Sequence, residues 1–355
     1  ARIAAFRGQA HPGSVQLGQQ AVRQGDDGVR LPVLGDPAAL GAGRRQVLRP
    51  ARRVWRDHGG TRDITACFRG PPKCRKTARN RLKPYIFYAN KGWFMDLALT
   101  NKIVLITGAS KGIGKQIAQG FYDEGCVIHI VSRSMKNLKA AALEIAGQKQ
   151  AQIHLHAEDI SSKGVAGRLL AVTGIPDILI NNAGAIPGGN LQTIDEERWR
   201  KSWDLKVFGY INMCRIFFDA MTKLGRGAII NVTGLAADRF DADYVAGTTA
   251  NAGLNAFTKA IGSRSLNHGV RVLAVSPGPV TTERLVNLMR AQALTEFGDA
   301  DRWESYFKNL PSGRAATVKE IADVVVFMAS ERAGFISGTI VNVDGGHGSN
   351  IPVFP

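Results

Sequence analysis

Cysteine is scarce: four residues in 355, at positions 67, 74, 126 and 214, with no short paired spacing. That excludes the usual Cys-x-x-Cys zinc motifs and a disulfide scaffold, and it fits a reduced, cytoplasmic chain. No run of about 18 apolar residues occurs, so no membrane-spanning helix is expected. Seven histidines are scattered, none at metal spacing; His129, His154 and His156 fall on strand-like runs and read as structural groups rather than ligands. No metal is expected. Glutamate is missing from the first 94 residues, which hold 19 Lys and Arg against five Asp. The remaining residues carry 27 basic and 24 acidic side chains. The formal net charge of +17 therefore sits almost wholly in one terminal segment. It is no sign that a folded face binds nucleic acid.

Residues 1–94 also lack a hydrophobic period. The stretch "GAGRRQVLRPARRVWRDHGG" alternates neither by two nor by 3.6. Such a segment cannot bury enough apolar surface to offset the entropy of ordering it. A mitochondrial transit peptide would be Arg-rich and poor in acid, as here, but also Ser-rich, and Ser14 stands alone. A nucleic-acid-binding tail and a non-native or unselected extension are the other readings. The last is preferred, with a natural start at Met95, where "MDLALTNKIVL" leads into a strand. The expected organisation is a disordered or non-native leader over 1–94 and one domain over 95–355.

What is present is a nucleotide-binding pattern. "KIVLITGASKGIGKQIAQGFYDEG" opens with an apolar run, Ile103 to Ile106, of the kind that a strand buried on both faces requires. Gly108, Gly112 and Gly114 follow, then Ile113, Ile117, Ala118 and Phe121 at helical spacing, and Gly125 as a stop. Strand, glycine turn and helix in that order let backbone N–H groups and a helix N-terminus approach a pyrophosphate closely. The loop residues Gly108, Ser110, Lys111, Gly112, Ile113 and Gly114 are its candidate contacts. "CVIHIVSR" is a second strand, ending at Ser132 and Arg133 with no acid to take a ribose 2′-hydroxyl. Arg133 and Lys111 offer positive charge to a 2′-phosphate instead, so NADP is expected rather than NAD. Further strand candidates at 152–157, 177–181, 227–233, 271–276 and 339–343 alternate with helical segments. That alternation predicts an α/β fold, a doubly wound parallel sheet with helices on both faces.

Four motifs, "TGASKGIG" (107–114), "NNAG" (181–184), "PGPVTT" (277–282) and "VDGG" (343–346), resemble the short-chain dehydrogenase/reductase family in order and spacing. The similarity runs from residue 98 to 346. It implies a Rossmann fold of about seven strands, an NAD(P) cofactor, hydride transfer to or from a small-molecule carbonyl or alcohol, and a homotetramer or homodimer packed through long helices. By the same resemblance Asp159 and Ile160 flank the adenine, and Asn182, Ala183 and Gly184 line the cofactor cleft. Pro277, Gly278, Val280 and Thr282 stand beside the nicotinamide.

The family's chemistry rests on Asn, Ser, Tyr and Lys: Tyr as general acid/base, Lys on the nicotinamide ribose and lowering the phenol pKa, Ser on the substrate oxygen, Asn anchoring a water. Here the pattern breaks. With "GAIINVTG" and "NAGLNAFTKA" as anchors, Ser falls at Gly234, Lys at Asn251, Tyr at Gly247, and in "WDLKVFGYIN" Asn falls at Lys206. The spacing from Gly234 to Gly247 fits the family without a gap. A second register keeps Tyr244 as the catalytic tyrosine, at the cost of paired indels. The ungapped register is preferred, and the tetrad in its usual form is absent. The exchange looks reciprocal, Asn to Lys at 206 and Lys to Asn at 251. The candidate catalytic residues are therefore Lys206, Asn251 and Tyr244, with an inactive dinucleotide-binding protein as the rival reading. Residues 283–312 sit where the family carries a substrate lid, and Trp303, Phe307 and Leu310 recur as one helix face.

Overall fold

A computed structural model describes residues 95–147 and 152–349. The reading of residues 1–94 as a leader lies outside the described residues. Seven strands form one sheet: β1 (Ile103–Thr107), β2 (Val127–Ser132), β3 (Ile153–Ala157), β4 (Ile178–Asn181), β5 (Gly227–Val232), β6 (Val270–Pro277) and β7 (Ile340–Val343). Their spatial order is β3-β2-β1-β4-β5-β6-β7, and every neighbouring pair is parallel. Chain order reverses between β1 and β4, which opens a crevice beyond the carboxyl ends of the strands.

Successive side chains of a strand point to opposite faces, and here both faces are covered. Val104 and Ile106 of β1 pack with α1 (Gly112–Asp123), α2 (Met135–Ala146) and α8 (Val318–Ala329). Leu105 enters a second core with α3 (Val165–Thr173) and α5 (Gly209–Leu224). The remaining long helices are α4 (Glu196–Trp203), α6 (Val245–Gly262) and α7 (Glu283–Phe297). No helix among the described residues is long and apolar enough to cross a membrane.

Several polar groups in the core are paired within it. Asn231 of β5 accepts from Asn181 of β4 at 2.9 Å and donates to Thr258 of α6 at 2.9 Å. Buried Arg271 of β6 donates to the carbonyls of Met328, Ala329 and Ser330, satisfying the open C-terminal end of α8. His129, His154 and His156 stack at 4.5 and 5.2 Å across β2 and β3. Burial pushes the His129 imidazole down to about 4, with His154 and His156 adding to the effect.

The lid segment differs from the helix that its spacing predicts. Residues Ala300–Phe307 form a 3₁₀ run. Trp303 meets Phe307 edge-on at 5.6 Å, and Tyr306 stacks on Phe297 of α7 at 5.8 Å. These rings fasten the segment to itself and to α7. The N-terminal part of α7 reaches the crevice through Glu283, Arg284, Leu285 and Asn287.

Candidate active site

Two clefts of about 680 and 780 Å³ share the wall formed by Ile113, Asn182, Gly184, Thr282 and Arg284. The first follows the glycine loop. Gly108 takes φ +67°, and a β-carbon there would stand 2.7 Å from the Ala183 Cα. A β-carbon at Gly114 would collide with the Asn182 amide and the Gly108 carbonyl. Asn182 locks this arrangement: its Nδ2 donates to the carbonyls of Thr107 and Gly108 at 3.2 Å, and its backbone N–H donates to Thr107 Oγ1. The loop is thus held bare and close, the shape a pyrophosphate at the N-terminus of α1 requires. Ser110, Lys111, Gly112, Arg133, Ile160 and Ala183 line the same cleft.

The charges around it are uneven. Lys111 faces Glu283 at 3.8 Å, an exposed pair of little energetic weight. Glu158, which the sequence reading missed, lines the cleft, but Arg168 holds it at 2.7 Å and keeps its carboxyl below the usual range. Arg133 is exposed and has no carboxylate within ion-pair reach among the described residues. Ile160 lines the cleft. Asp159 does not line it: its Oδ1 accepts from the backbone N–H and hydroxyl of Ser161, closing a local turn.

The second cleft collects all three candidate catalytic residues, together with Gly234, Pro277, Gly278 and Val280. Lys206 lies in a π-helical turn, Asp204–Phe208, between α4 and α5. The wide turn alters the side-chain direction of a regular helix, and such bulges recur at functional sites. Lys206 Nζ donates to the Thr233 carbonyl at 3.1 Å and stands 5.9 Å from the centre of the Tyr210 ring. No carboxylate lies within ion-pair reach of it among the described residues, and burial pushes its pKa down to about 8.

Tyr244 precedes the first turn of α6. A β-carbon at Gly247 would fall into the Tyr244 ring, against Cε1 and Cζ. The missing side chain at 247 is therefore what makes room for the phenol of 244. Burial raises the Tyr244 pKa, and the Arg284 guanidinium partly opposes that. Asn251, 3% exposed, donates from Nδ2 to the Gly247 carbonyl at 2.9 Å, while its Oδ1 is buried without a partner. Gly234 faces it: a β-carbon there would stand 3.3 Å from Asn251 Nδ2. Trp203 fastens the two halves of the site, donating from Nε1 to the Ala246 carbonyl at 3.1 Å.

Arg239, Arg284, Trp203 and His347 escaped the reading of the sequence. Arg284 had a signal, since it follows directly on "PGPVTTE". The others are brought in by tertiary contacts that no local pattern announces.

A family model described as enoyl-(acyl carrier protein) reductase matches residues 108–348. A 3-oxoacyl-[acyl-carrier-protein] reductase from Chlamydia muridarum is 28% identical over 256 residues, 71% of this chain and 99% of its own. A 2-keto-3-deoxy-L-fuconate dehydrogenase from Xanthomonas campestris is 32% identical over 251 residues, 70% of this chain and 80% of its own. Among solved structures, L-sorbose reductase from Gluconobacter frateurii, complexed with NADPH and L-sorbose, superposes with a TM-score of 0.68 at 28% identity. That match covers 72% of this chain and 100% of the reductase.

Proposed function

This chain belongs to the short-chain dehydrogenase/reductase family and is an NAD(P)-dependent oxidoreductase, and we propose that Lys206 moves the proton of its reaction while Tyr244 holds the substrate oxygen. One observation carries this: the Tyr244 ring stands over Gly247, so the phenol shares a cleft with the unpaired Lys206 ammonium. The two groups divide the work by acidity. A general acid/base is most useful with a pKa near the working pH, and Lys206 is pushed down to about 8. Tyr244 is pushed upward, so its phenol stays protonated at neutral pH and donates a hydrogen bond without titrating.

In the direction of reduction, Lys206 Nζ gives its proton to the substrate oxygen, and Tyr244 Oη donates to the same oxygen. In oxidation Lys206 takes the proton back. NADP, when bound, supplies or accepts the hydride. The glycine loop would hold its pyrophosphate and Arg133 its 2′-phosphate. Asn251 Oδ1, a buried acceptor without a partner, would take a hydrogen bond from the nicotinamide ribose. The substrate is a small-molecule carbonyl or alcohol.

Lys206→Met tests the reading. Turnover should fall by about two orders of magnitude or more, the usual scale for lost general acid/base help. NADPH binding should fall much less, because the glycine loop is untouched. Unchanged turnover in Lys206→Met, with near-complete loss in Tyr244→Phe, would make the tyrosine the proton donor instead.

Self-association and location complete the proposal. Phe208 is 51% exposed beside Trp199 and Trp203, an apolar stretch that supports a homodimer or homotetramer packed through the long helices α5 and α6. Cys126 and Cys214 are free and buried, in keeping with a cytoplasmic setting.

A further inference from the structure

We propose that the substrate carries a carboxylate besides its reacting carbonyl or alcohol, and that Arg239 is the residue that reads it. The inference rests on the larger cleft being the substrate site. Three cationic side chains line that cleft, Lys206, Arg239 and Arg284, against one acid, Asp241. Asp241 is turned toward its own loop, its Oδ1 accepting from the Asp243 backbone N–H at 2.9 Å.

The two arginines differ in what they do. Arg284 lines both clefts and donates to the Ile186 carbonyl at 3.3 Å, so it stands at the boundary with the cofactor. Arg239 lines the substrate cleft alone. Neither forms an ion pair among the described residues, whereas Arg168, Arg200, Arg226, Arg290 and Arg314 each do.

Arg239 is also held in place from outside its own loop. Its Nη1 lies 2.9 and 2.6 Å from the two ring nitrogens of His347 and 3.4 Å from the His347 carbonyl oxygen. Burial, and then the Arg239 charge, lowers the His347 pKa, which keeps the ring neutral and able to accept. A neutral ring has one acceptor nitrogen, so one of the two ring contacts is a hydrogen bond and the other a close approach; with the His347 carbonyl they orient Nη1 of a side chain that is otherwise exposed. Nη2 and Nε have no protein partner among the described residues. A planar fork with two free donors is the geometry that binds a carboxylate through parallel hydrogen bonds. An unpaired arginine on a loop would ordinarily wave in solvent; fixing it against His347 spends an interaction on orientation. The walls of the cleft are partly apolar, with Leu235 and Ile186 in its lining. The expected substrate is thus an oxo-acid or hydroxy-acid whose two functions are separated by a short apolar spacer.

The test uses the full chain, NADPH and a series of straight-chain oxo-carboxylates of four to eight carbons, each paired with its methyl ester. At its best length the acid should exceed its ester in kcat/KM by about tenfold or more, the scale of a charge-assisted pair. Arg239→Gln should bring that ratio near one, mainly through KM of the acid, and Arg239→Lys should keep part of it. Esters reduced as well as acids, or a ratio unmoved by Arg239→Gln, would overturn the proposal. Should nothing on the panel turn over, the same compounds are titrated calorimetrically into the NADP-loaded protein. Acid binding that exceeds ester binding and disappears in Arg239→Gln would uphold the carboxylate site while sinking the catalytic reading. Acid and ester binding alike would overturn the carboxylate site.

Discussion

Gly247 carries no β-carbon, and the Tyr244 ring lies where one would stand. That makes the sign of a simple substitution informative. Within a helix, Gly→Ala ordinarily stabilises by roughly 0.5–1 kcal/mol, because alanine loses less backbone entropy. At Gly247 the added methyl group meets the ring, and overpacking costs about 1–3 kcal/mol. Gly247→Ala should therefore lower stability in chemical denaturation, and should raise it once Tyr244→Ala has removed the ring. The double-mutant cycle isolates the contact; the same sign in both backgrounds would show that the ring does not depend on the glycine. The position also corrects a simpler idea. Restoring a tyrosine at 247 while Tyr244 remains would place two side chains in one space, so any rescue of the usual arrangement must first vacate 244. Sequence alone aligned Gly247 and Asn251 with the lost Tyr and Lys. It also names Tyr244 as a candidate, but does not show that its ring fills the space over Gly247, because that depends on packing across the helix end.

At the scale of elements, the π-turn Asp204–Phe208 and the first turn of α6 bring the site together, pinned by the Trp203–Ala246 hydrogen bond. Neither the wide turn nor the pin leaves a mark in hydrophobic periodicity. The buried strands do leave one, and the segments read at 152–157, 177–181, 227–233, 271–276 and 339–343 match β3 to β7 within a residue or so at each end. The spacing of Trp303 and Phe307 reads as an α-helical face, but the two meet through a 3₁₀ run, where the same spacing serves an edge-on ring contact. β2 and β3 carry a pH dependence of their own. His129 is held down to about 4 by burial, and His156 is lowered by burial and His154, although Glu158 opposes that. A histidine with a lowered folded pKa contributes full stability above its unfolded value near 6.5. As pH falls from there toward about 4, the unfolded chain gains protons first and stability is lost. Melting temperature measured from pH 7 to 4 should fall over that window, and the fall should be shallower in His129→Asn. An equal slope in the variant would place the effect elsewhere.

For the whole molecule, the sheet order sets one cleft at the reversal between β1 and β4 and the other beside it, beyond the carboxyl ends of β4, β5 and β6. Four short motifs made that architecture and its cofactor legible, since glycine loops and strand ends are local in the chain. The chemistry was less legible because Lys206 comes from the π-turn while Arg239 and Tyr244 come from the loop between β5 and α6, two segments joined only by the fold. Cofactor choice follows from the unpaired Arg133: Arg133→Ala should reduce NADP affinity at least tenfold more than NAD affinity in fluorescence titration. Equal losses would remove its assignment to the 2′-phosphate. The proton assignment is tested most directly by the pH dependence of kcat for carbonyl reduction, in the unmodified protein and in Lys206→Met. Reduction needs Lys206 charged, so kcat should be level below about pH 8 and decline above it, as the group held down to about 8 loses its proton. In Lys206→Met the residual rate should be low and should lack that decline. A falling limb near pH 8 that survives in Lys206→Met would contradict the account, and so would tight NADPH binding with no turnover on any carbonyl offered.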